Sequence, residues 1–101
     1  GLLMVSQKEL LFLDETGEIA ARSDVPQDSW FTACRDSSGR AYLFDSLSTN
    51  TLYTVDWEKH TLGQPLFSAD SGVRILPGGG DYDFFLVNEP YCPVRHWQRA
   101  R

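Results

Sequence analysis

The chain has 101 residues, 42% of them hydrophobic and 13% aromatic, and a formal net charge of −5; that is enough apolar material for one core and too much for a disordered segment. An acidic balance argues against nucleic-acid binding, which needs a basic face to displace counterions from phosphate. No apolar run approaches the roughly 18 residues that span a bilayer, and the opening Gly1-Leu2-Leu3-Met4-Val5 has neither the basic leader nor the length of a signal peptide. A start on Gly rather than Met reads as a processed terminus, which leaves the compartment open: extracellular, periplasmic or cytoplasmic.

Turn residues interrupt the chain at about every tenth position, and no stretch keeps helical apolar spacing, so the expected elements are strands. In chain order they are Leu2–Ser6, Glu9–Asp14, Glu18–Arg22, Trp30–Arg35, Arg40–Asp45, Thr51–Asp56, Leu62–Phe67, Val73–Leu76 and Asp83–Val87. Between them lie turn clusters such as Asp14-Glu15-Thr16-Gly17, Asp36-Ser37-Ser38-Gly39 and Pro77-Gly78-Gly79-Gly80. Glycine supplies positive φ cheaply there, and Asp and Ser side chains bond their own backbone. Turns this short imply antiparallel hairpins, because a parallel crossover needs far more chain.

Asp14, Asp45 and Asp56 each end a strand, where an aspartate caps the following turn. Leu10–Leu13, Ala41–Phe44 and Phe84–Val87 are unbroken apolar runs and are expected to be covered on both faces. The more polar Glu18–Arg22 and Leu62–Phe67 suit sheet edges. After Tyr91 the pattern breaks: Pro93–Arg101 carries Arg95, Arg99 and Arg101 with no acid, and reads as a basic, solvated C-terminal tail.

Shifted by about 42 residues, the chain overlays on itself. Leu10-Leu11-Phe12-Leu13-Asp14 falls on Leu52-Tyr53-Thr54-Val55-Asp56, Phe31-Thr32-Ala33-Cys34 on Val73-Arg74-Ile75-Leu76, and Tyr42-Leu43-Phe44 on Phe84-Phe85-Leu86. The segment Asp36-Ser37-Ser38-Gly39-Arg40-Ala41-Tyr42-Leu43-Phe44-Asp45, followed by Asn50-Thr51-Leu52-Tyr53-Thr54-Val55-Asp56, resembles a blade of the β-propeller repeat superfamily. It is closer to the TolB-like, NHL-like and quinoprotein-like groups than to Trp-Asp repeats. The resemblance implies an all-β fold of antiparallel four-stranded meanders. Residues 2–22 are then a partial blade, 30–67 a full blade and 73–87 a partial third, within a propeller-like region 1–92 followed by the tail 93–101. Propellers close with about four blades or more. The ring is therefore incomplete, and is finished by missing blades of a longer chain or by self-association, unless the meander stays open.

No residue is assigned a catalytic role, and no metal or cofactor is expected. Gly78-Gly79-Gly80-Asp81-Tyr82-Asp83 offers close backbone approach and two carboxylates, but lacks calcium-loop or phosphate-loop spacing and reads first as a hairpin turn. Asp81, Asp83, Tyr82 and Trp57 are the candidate binding residues; Trp57 follows a strand in a charged turn, whereas Trp30 opens a strand and is expected in the core. His60 is expected to be a solvated surface imidazole. Cys34 and Cys92 read as free thiols rather than a disulfide. Three functions fit: a non-catalytic interaction or scaffold module binding a protein or carbohydrate partner; part of a propeller hydrolase or lyase whose catalytic groups lie elsewhere; or an appended domain of a bacterial surface sensor or solute-binding protein.

Overall fold

The computed structural model describes residues 2–6, 8–26, 28–70, 72–88 and 94–98. Ten strands follow one another: β1 (Leu2–Val5), β2 (Glu9–Leu13), β3 (Ile19–Asp24), β4 (Phe31–Arg35), β5 (Ala41–Asp45), β6 (Thr51–Asp56), β7 (Thr61–Ser68), β8 (Val73–Pro77), β9 (Phe84–Asn88) and β10 (Val94–Trp97). They form three antiparallel meanders, ordered β1-β2-β3, β4-β5-β6-β7 and β10-β9-β8, so chain neighbours are sheet neighbours throughout. Among the described residues there is no helix, and none therefore long and apolar enough to cross a membrane. Strand starts recur along the chain at 9, 51 and 94 for β2, β6 and β10, at 31 and 73 for β4 and β8, and at 41 and 84 for β5 and β9.

The central sheet is covered on both faces, and side-chain alternation along β5 does the sorting. Leu43 joins Leu10 and Phe12 of β2, Val25 and Phe31 in one buried cluster, bordered by Leu3, Val5, Tyr53, Val55 and Leu62. Its neighbours Tyr42 and Phe44 point the other way, into a second cluster with Leu52, Val73, Ile75, Phe84 and Leu86. Cross-strand pairing stacks like on like: Leu43 opposes Ala33 and Tyr53, and Phe44 opposes Leu52. Three layers and two apolar seams result, which explains why Ala41–Phe44 needs no polar alternation.

The two flanking sheets differ from that expectation. Leu10 and Phe12 are buried while Leu11 and Leu13 are half-buried, and Phe84 and Leu86 are buried while Phe85 and Val87 are half-buried. Each of these apolar runs has one side against the central sheet and the other on an outer face of the stack. The outer face of the first sheet also presents Leu2 and Met4, 64% and 55% exposed. The polar strands take the edges: β3 and β7 are the last strands of their meanders, and Pro65 lies in β7, where a missing N–H is tolerated.

Two segments depart from the sequence reading. Val94–Trp97 is not tail but strand β10, paired with β9 in the register Arg95 to Leu86 and Trp97 to Phe84. The basic residues masked it: Trp97 packs with the second cluster, while the exposed Arg95 pairs with Asp70 at 3.1 Å. Trp30, just before β4, is 47% exposed rather than core, and its neighbour Phe31 takes the inward position.

Candidate functional site

Aspartates at strand ends organise the turns. Asp14 Oδ1 accepts from the backbone N–H groups of Thr16 and Glu18 and from the Thr16 hydroxyl, and Asp56 Oδ1 accepts from the N–H groups of Glu58 and Lys59. Asp36 does the same for Ser38 and Arg40, and its Oδ2 also accepts from the Tyr42 hydroxyl at 2.8 Å. Burial alone would raise the Asp36 carboxyl, but the Ser38 and Tyr42 hydroxyls and the Arg40 and Ser38 N–H groups outweigh it and hold its pKa below the ordinary value. These carboxylates are taken up by the turns they hold.

The expected binding residues fall into separate turns. Asp81, Tyr82 and Asp83 occupy the β8–β9 turn, where Gly78 N–H donates to Asp83 C=O at 3.0 Å. A side chain at Gly78 would collide with the Tyr82 carbonyl oxygen and come within 2.6 Å of the Asp83 carbonyl carbon, so glycine there serves close backbone approach. The Asp83 carbonyl also accepts from Ser37 N–H at 3.1 Å, tying this turn to the β4–β5 turn of the central sheet. Tyr82 is 40% exposed and stacks on His96, with ring centroids 4.3 Å apart and 19° between planes. Trp57 lies in the β6–β7 turn, 42% exposed, its ring edge-on to Phe12 at 5.4 Å. His60 closes the same turn at φ 56° and meets Phe12 from another direction at 5.1 Å. It is therefore half-buried rather than a solvated imidazole: the left-handed turn swings its ring over the first seam.

A larger feature joins the three sheets along one side. The first strand of each meander is an edge strand, β4 lies alongside both β1 and β8, and a cleft of about 650 Å³ runs over them. Leu2 and Leu3 of β1, Ala33, Cys34 and Arg35 of β4, and Arg74, Ile75 and Leu76 of β8 line it, with Trp57 at the rim. Of the four expected binding residues, this cleft takes in Trp57, and Asp81, Tyr82 and Asp83 lie outside its lining. Sequence reasoning passed over Arg35 and Arg74. The available signal was that both sit in strands the recurring spacing makes equivalent. Among the described residues no cluster of three His, Cys, Asp or Glu side chains is placed to hold a metal ion.

Cys34 in this cleft is a free thiol whose pKa burial pushes up to about 11; Cys92 lies outside the described residues. At pH 8 its thiolate fraction then falls about a hundredfold below that of an open thiol. In a Cys92→Ser variant, iodoacetamide should alkylate Cys34 about a hundredfold more slowly in the native protein than in urea, followed by mass spectrometry. Native and unfolded rates within about threefold would show the thiol to be open.

No protein-family model, no curated protein and no solved structure matches this chain.

Proposed function

We propose that the chain is a set of propeller-type blades forming a non-catalytic interaction module, which receives a protein or carbohydrate partner along the cleft side. The observation that supports this reading is the stacking of the three meanders with their first strands side by side around the cleft. Consecutive twisted sheets packed face to face around an inner edge are the arrangement of neighbouring blades. The strand starts spaced 42 or 43 residues apart support it as well. On this reading 2–22, 30–67 and 73–87 belong to successive blades, and β10 is the third strand of the last.

The reading requires cover for the outer faces, where Leu2, Met4, Ile19, Leu76 and Tyr82 are 38–64% exposed. Apolar patches of this kind mark association surfaces. Further blades supply that cover, from the same polypeptide or from copies of this one.

Gel filtration with light scattering, run together with amide exchange, tests this. The isolated chain should elute as a multiple of 11.4 kDa, and Met4→Glu should shift it toward monomer. A clean monomer whose strands are all exchange-protected would sink the reading, because outer faces stable in water need no neighbouring blade.

A further inference from the structure

We draw no further inference here: the strongest candidate, the surface patch at the rim of the central sheet where Trp30 and Leu47, 47% and 66% exposed, are held through their backbone N–H groups by one oxygen of the buried Asp45 carboxylate, carries nothing because nothing in the structure shows what covers it.

Discussion

Phe84→Ala should destabilise the protein by about 3–5 kcal/mol, a large part of the total for a domain of this size. Phe84 is fully buried and lies where three strands meet. Its ring is edge-on to Tyr42 of β5 at 5.1 Å and to Phe67 of β7 at 5.7 Å, and tilted against Trp97 of β10 at 5.7 Å. Truncation removes apolar contact with both sheets at once and leaves a cavity lined by rigid rings, which relax little. The neighbouring Phe85 is the control. It lies on the opposite face of β9, half-buried, and meets the His96 ring at 5.2 Å. Phe85→Ala should cost only about 1 kcal/mol in the isolated chain. Equilibrium unfolding in urea, comparing midpoints, measures both. Equal losses would mean that the outer face of the third sheet is as tightly covered as the inner seam.

That contrast shows which part of the fold was legible in the sequence. Strand positions, antiparallel order and the edge roles of β3 and β7 are local properties, written in turn residues and in where polar residues concentrate. The caps at Asp14 and Asp56 are also local, since each carboxylate reaches N–H groups only two to four residues ahead. What failed to show depends on phase or on distant chain. Neighbouring side chains of a strand face opposite ways, so only one of Trp30 and Phe31 can enter the core, and the composition of the segment does not say which; Phe31 does. β10 was hidden because Trp97 carries its inward contact while Arg95 and His96 face solvent, so no apolar run announces it. The cleft is built from β1, β4 and β8, which lie some thirty to forty residues apart in sequence, and no local pattern brings Arg35 and Arg74 into one lining. The candidate residues chosen from the sequence, Asp81, Tyr82, Asp83 and Trp57, stood out by composition; the three in the β8–β9 turn share a hairpin, and Trp57 borders the cleft.

Asp45 carries the second large effect, and it combines packing with titration. The residue is 1% exposed, and its carboxylate is the hub of the β5–β6 turn. Oδ1 accepts from the N–H groups of Trp30, Leu47 and Ser48 at 3.0–3.3 Å, and Oδ2 from the N–H and hydroxyl of Thr49. One side chain thus closes the turn and fastens the start of β4 to the end of β5. Burial works against its charged form, but the N–H donors of Ser48, Leu47 and Trp30 and the Thr49 hydroxyl prevail, holding its pKa at about 2 against the usual 3.8. A carboxylate held low in the folded state stabilises it fully above the unfolded pKa. That contribution, about 2 kcal/mol, disappears as pH falls from about 4 toward 2.

Asp45→Ala, which strips the acceptors from the turn, should lose about 2–4 kcal/mol at pH 7. Asp45→Asn keeps one acceptor oxygen and should lose about 1–2 kcal/mol. The discriminating result is the pH dependence. Urea midpoints measured from pH 7 to pH 2 should fall less steeply below pH 4 in Asp45→Asn than in the unsubstituted protein, because its largest acid-sensitive contribution is gone. A smaller decline should persist from Asp36 and Asp14, whose pKa values are also held low. An acid limb as steep in Asp45→Asn as in the unsubstituted chain would show that the turn is held together by its backbone alone, and that the buried carboxylate is a passenger in it.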